Sequence, residues 1–149
     1  MTVTVTTTGF AALDTRMKSL SNDFATKVGL SSVRAGAVVI RKKITEGAPD
    51  GPHAEGSIRN RTRKSGKVVQ EKHAKIKNHI KVRKVKSAAG LVAYAIVVGK
   101  DAYHALFVEF GSIHNAPDPF FRTGFALASE DAVDRIKAVL AKRLDKAGV

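Results

Sequence analysis

The sequence predicts an α+β fold: an antiparallel β-sheet packed with two N-terminal helices and a long C-terminal helix. Three observations predict it. Apolar residues recur at helical spacing near both ends of the chain, they alternate with basic residues at a period of two near the middle, and a continuous apolar run follows that alternation. The chain has 149 residues, of which 44% are apolar and 26% charged, so it suits one core rather than two domains or a disordered segment.

The elements follow in order. Val3 and Val5 alternate with Thr, as in a short edge strand or an arm. Phe10, Leu13, Met17 and Leu20 then lie on one helical face. Ser21 is placed to cap a second helix carrying Phe24, Val28, Val33, Ala37, Ile40 and Ile44, with Gly29 as a candidate break. Arg41, Lys42 and Lys43 are expected in its last turns, where cations suit the negative end of the helix dipole. Gly47, Pro49, Gly51 and Pro52 end it. From Ala74 to Arg83, apolar Ala74, Ile76, Ile80 and Val82 alternate with Lys75, Lys77, His79, Lys81 and Arg83, which predicts a strand with a basic outer face. Leu91–Val98 reads as its buried antiparallel partner, joined through Ser87–Gly90. Tyr103–Gly111 reads as a helical turn. Asp118 and Pro119 are expected as N-cap and first residue of a helix with the stripe Phe121, Phe125, Ala128, Ala132, Ile136 and Val139. The whole is one domain over residues 1–149, with a basic β-hairpin or loop insertion at about 59–86.

Composition and motifs exclude several classes of function. There is no cysteine, hence no disulfide scaffold, thiol nucleophile or cysteine-based zinc site. The uncharged stretch Ser87–Gly99 falls well short of the roughly 18 residues a membrane span needs, and MTVTVTTTG lacks the basic and apolar regions of a secretory signal. No phosphate-binding glycine loop, dinucleotide fingerprint or nucleophile elbow is present, and His104, Glu109 and His114 do not share a helix face as metal ligands would. No catalytic residue, metal or cofactor is therefore assigned.

Charge is concentrated. The net +13 is made up of +4 over residues 1–46, −2 over 47–58, +11 over 59–86 and zero over 87–149. Such a block faces water, an acidic partner or a polyanion. The candidate contact residues are Arg59, Arg61, Arg63, Lys64, Lys75, Lys77, Lys81 and Arg83. Aromatic residues are absent from 59–86, which disfavours single-strand binding by base stacking. The alternative is a solvated strand whose lysines deter edge-to-edge pairing.

A second signal is the run Tyr103-His-Ala-Leu-Phe-Val-Glu-Phe-Gly-Ser112, followed by Ala116-Pro-Asp-Pro-Phe-Phe-Arg122. In the first block Phe107 and Phe110 are spaced to pack under the sheet, and Gly111 permits a positive φ. Glu109 caps a backbone amide, pairs with a neighbouring subunit or faces water. Phe120 and Phe121 either divide between the parent core and a neighbour or are both buried at home.

These residues carry a resemblance to the neck, or tail-completion, proteins of long-tailed bacteriophages, including lambda gpZ-like tail components. Tyr103, Val108, Glu109, Phe110, Gly111 and Ser112 match the family's first block, and Pro119 and Phe120 its Pro-Phe helix opening. Gly9-Phe10 with Leu13 and Ala48-Pro49 agree more loosely. Glu55-Gly56-Ser57-Ile58 keeps the glycine of the family's Thr-Gly-x-Leu and loses the threonine, and the lysine-rich stretch after it falls outside the pattern. The resemblance implies a virion structural protein assembled in the host cytoplasm. The resemblance also implies a ring, expected to be six-fold, at the head–tail junction as a tail-completion or tail-terminator component. The implied partners are copies of itself, a head-closure or connector protein, the tail tube protein and the DNA in the channel, with no membrane. The implied interface residues are Tyr103, Glu109, Phe110, Gly111, Pro117, Pro119, Phe120, Phe121 and Arg122. The alternative reading is a nucleic-acid-binding protein using residues 59–86.

Overall fold

The computed structural model describes Asp14 and residues 22–85 and 93–147. Among these, helix α1 (Asn22–Gly47) is followed by strands β1 (Ile58–Thr62) and β2 (Val68–Lys72), a single turn α2 (Ile76–His79), and strands β3 (Ile80–Val85) and β4 (Ala93–Val98). A 3₁₀ turn (Lys100–Ala102), a short helix α3 (Ala105–Phe110) and the long helix α4 (Phe120–Lys146) complete the chain. The α+β class is as the sequence predicts. The first predicted helix lies outside the described residues apart from Asp14, which is helical, and so do the Val3–Val5 strand and Ser21.

The frame is the pair α1 and α4, which run antiparallel. Gly36 of α1 sits against Ala132 and Ile136 of α4, and Ile44 of α1 against Gly124. Glycine at these two crossings lets the backbones approach closely. A Cβ on Gly124 would lie 2.8 Å from the Ile44 Cα, and one on Gly36 would lie 2.6 Å from the Ile136 side chain. Gly29 does not break α1. The hydroxyls of Ser31 and Ser32 instead bond back to the Val28 carbonyl at 2.8 and 2.9 Å, so these serines are satisfied inside the helix. α1 runs on to Gly47, leaving its last turn without cations; Lys43 pairs with Glu46 instead. On α4 the fully buried positions are Phe120, Gly124, Ala128, Ala132, Leu140 and Leu144; of the expected stripe Ala128 and Ala132 are among them, while Phe121 and Phe125 pack half-buried against the core and Ile136 against Gly36.

The core joins Ile44, Ala48, Ile76, Ile80, Ala105 and Phe120, with Ile40, Ile96, Val98, Val108, Phe121 and Phe125 packed around it. One correction concerns the middle of the chain. The predicted strand from Ala74 begins only at Ile80, because Ile76–His79 form a helical turn that buries Ile76. That turn is set by Glu55, whose carboxylate accepts from the Lys75 backbone N–H at 2.6 Å and the Asn78 amide at 3.1 Å. The β-structure is two antiparallel ribbons: β3–β4, as the alternation predicts, and β1–β2 in the basic stretch before it. In the second, Ile80 faces Val98 and Val82 faces Ile96 on one side, while Lys81 and Arg83 oppose Val97 and Ala95 on the other. β4 is half-buried throughout rather than fully buried, since a two-stranded ribbon covers it on one edge only. Its link to β3 falls in residues 86–92, outside the described residues.

Candidate functional site

The Tyr103–Arg122 segment is organised by one buried carboxylate. α3 ends at Gly111, whose φ of 80° lets the chain reverse without the cost a Cβ would carry. The reversal is tied by Asp118 N–H to the Val108 carbonyl at 2.8 Å and by Ser112 to Asn115. It delivers Pro119 as the N-cap of α4, without a side-chain cap of its own; Asp118 does not take the capping role expected of it. Glu109 takes it, reaching from α3 to accept from the backbone N–H groups of Phe121 at 2.8 Å and Arg122 at 3.1 Å. Those are the second and third residues of the helix, the donors a capping side chain normally satisfies, at the positive end of its dipole. The Arg122 guanidinium closes on the same carboxylate at 2.9 Å and lies 5.1 Å above the Phe110 ring. Of the readings open for Glu109, capping of a backbone amide is the one observed, and it is only 5% exposed.

Fixing α3 in this way turns its aromatic side outward. Phe107 and Phe110 do not pack under a sheet: they are 54% and 60% exposed, beside Leu106 at 63% and Tyr103 at 47%, with Ile113 at 94% just beyond. Sequence reasoning missed Leu106, Phe107 and Ile113 as surface residues, because the i, i+3 spacing of the phenylalanines gives no sign of which face the core occupies. Phe120 is buried in the core and Phe121 packs against it. Glu109, Gly111, Pro119 and Arg122 shape the corner. Tyr103 and Phe110 are the proposed interface residues with their rings outside, whereas Pro117 is exposed in the connecting loop.

The basic candidates separate into two groups. Glu71 on β2 accepts from Arg59 at 2.8 Å and Arg61 at 3.3 Å, and Arg59 also donates to the Tyr103 hydroxyl at 2.9 Å. Asp50 pairs with Lys77 at 2.7 Å and Lys75 at 3.9 Å. Among the described residues, Arg63, Lys64, Lys81 and Arg83 form no ion pair. The wholly basic outer face read from the sequence is thus partly neutralised by carboxylates distant in the chain.

Four histidines and several carboxylates surround a cleft between the β1–β2 ribbon and the 3₁₀ turn. His53 stacks on His73 at 4.2 Å, and His79 lies 3.4 Å from Glu55. Burial pushes His104 below the usual imidazole range, and the nearby Arg59, His73 and His79 charges add to the shift. Among the described residues no group of three or more side chains is arranged to hold a metal ion, and none of the helices is long and apolar enough to cross a membrane.

The carboxylates here carry a pH dependence. The Lys75 backbone N–H, then the His79 and Asn78 side chains, hold the Glu55 carboxyl below its ordinary range; Lys77 does the same to Asp50, and Arg59 and Arg61 to Glu71. A carboxylate depressed in the folded state stabilises above its unfolded pKa, and that contribution is lost as pH falls through the folded one. Thermal melts are therefore expected to fall in Tm on acidification below the carboxylate range, and Glu55→Gln to flatten that fall. An unchanged slope in the variant would remove Glu55 from the explanation.

The described residues thus form an α+β fold that presents an exposed apolar corner of Leu106, Phe107, Phe110 and Ile113. Residues 11–111, two thirds of the chain, match the HK97-gp10-like family, described as a bacteriophage HK97-gp10 tail component, and the chain belongs to that family. The match includes the Tyr103–Gly111 block and stops before Pro119-Phe120. The family is one of structural tail components rather than of enzymes. A search of curated proteins and a search of solved structures each gave no match.

Proposed function

We propose that this tail component closes with copies of itself into a ring at the head–tail junction, as a tail-completion or terminator subunit, with residues 1–149 as one domain. The ring reading takes its six-fold number, its connector and tube neighbours and the passage of DNA from the resemblance of the Val-Glu-Phe-Gly-Ser block. The observation that carries it is the exposed apolar corner Leu106, Phe107, Phe110 and Ile113 beside Tyr103. Aromatic residues in such a patch are the usual anchors of an interface. A corner on one edge that meets a different surface of the next copy closes a cyclic, heterologous ring.

The test is native mass measurement and class-averaged images of the purified protein and of particles. Closed rings at the neck are expected. Leu106→Ser combined with Phe107→Ser is expected to abolish them while changing monomer stability by no more than about 0.5 kcal/mol, because both side chains already face water. Rings that survive the double substitution, or particles lacking the protein, overturn the reading.

A further inference from the structure

The β1–β2 ribbon contributes no residue to the buried core cluster, yet it carries a group of cations at its tip that no carboxylate of the described residues neutralises. Every residue of β1 is exposed, and along β2 only Val69 and Glu71 are half-buried. A two-stranded ribbon is marginal by itself. This one is pinned at its base by Arg59, which bonds both Glu71 and Tyr103. Beyond that anchor the register pairs Arg61 with Val69 and Thr62 with Val68, and Arg63 N–H bonds the Lys67 carbonyl at 2.9 Å across a turn in which Gly66 has a φ of 76°. Arg63, Lys64 and Lys67 crowd this tip. Among the described residues none of them has a carboxylate within ion-pair distance, and the ribbon's one acidic residue, Glu71, is already shared by Arg59 and Arg61.

We propose that the ribbon tip is a sequence-independent contact for the phosphates of duplex DNA, made by Arg63, Lys64 and Lys67. Charge complementarity selects a polyanion, because a tip with three cations and no acid offers nothing to a neutral or mixed-charge surface. The shape selects a duplex. Paired strands lie about 4.8 Å apart, and the major groove, about 12 Å wide, admits a two-stranded ribbon. The absence of any aromatic residue from β1, the turn and β2 removes the stacking platform that single strands need. An acidic protein surface is the other polyanion and is separated by the test. The contact is independent of the ring and is measured on purified protein whether or not rings form.

The experiment follows anisotropy of a labelled mixed-sequence duplex, a single strand of equal length and polyglutamate, each over about 50 to 200 mM salt. Each phosphate neutralised contributes about −0.9 to the log–log slope. Duplex binding is expected to have a slope of about −2.7 or steeper, which is a weakening of roughly 40-fold or more over that range. Arg63→Ala, Lys64→Ala and Lys67→Ala together should make the slope shallower by about 2.7 units, with the circular dichroism spectrum unchanged. Lys75→Gln with Lys77→Gln, which removes cations held by Asp50, should change it by less than one unit. Single-strand or polyglutamate binding as tight as duplex binding overturns the proposal. So does a triple variant that keeps the slope, or a larger change from the Lys75 and Lys77 pair than from the tip.

Discussion

Glu109→Ala is expected to lower the unfolding free energy by about 3 kcal/mol, a fall in Tm of roughly 6–12 °C for a chain of this size. The substitution strips the acceptor from two backbone N–H groups at the start of α4 and from the Arg122 guanidinium, in a place only 5% exposed. Water does not readily replace a charge-assisted acceptor there. Glu109→Gln keeps one acceptor oxygen but turns an amide NH₂ towards the other donors, and should fall between wild type and alanine. Arg122→Ala should cost less than either, since its side chain is half-exposed and its loss leaves both capping bonds in place. Denaturant unfolding of the three variants checks the order. A Glu109→Ala protein as stable as wild type, or an Arg122→Ala protein less stable than it, would contradict the capping role.

The second large effect reverses a familiar sign. Glycine to alanine inside a helix ordinarily stabilises by about 1 kcal/mol. At Gly124 the same change is expected to destabilise by about 2 kcal/mol net, because the new Cβ would lie 2.8 Å from the Ile44 Cα and 3.0 Å from its nitrogen. Those are backbone atoms, so relief requires the two long helices to move apart. Trimming the neighbour with Ile44→Ala removes only a side-chain contact and leaves the backbone clash, so the double variant should not recover. At Gly36 two of the nearest atoms belong to the Ile136 side chain, and although the Ala132 carbonyl is also close at 2.9 Å, Ile136→Ala should recover part of the loss from Gly36→Ala. Thermal melts of these four proteins decide the matter, and a raised Tm for Gly124→Ala would refute the close approach.

How far the sequence was legible depends on whether the deciding partner was local. Periodicity found α1, α4 and the β3–β4 pairing, because amphipathic spacing is a property of neighbouring residues. It left Gly124 out of the inner stripe of α4, since glycine registers as a weak helix former until Ile44 is seen lying across it. It drew a strand through Ile76, since nothing near that residue in sequence announces Glu55 as the acceptor that curls the chain there. The basic block read as one uniform surface for the same reason: Asp50 lies 27 residues from Lys77 and quietly neutralises it. For the corner, the motif pointed to the Tyr103–Arg122 segment, but which of its residues cap a helix and which face outward is decided by the long-range geometry of Glu109.

That geometry has a mechanical consequence. α4, with 27 residues, is a strut of about 40 Å, and its first turn is bolted to the outward-facing corner by a carboxylate rather than hung from a loose tether. A pull or twist arriving at Phe107 or Phe110 is therefore transmitted down the length of the strut and, through the glycine crossings, into α1. The two bonds that Glu109 accepts are therefore the direct link between the corner and the start of the strut.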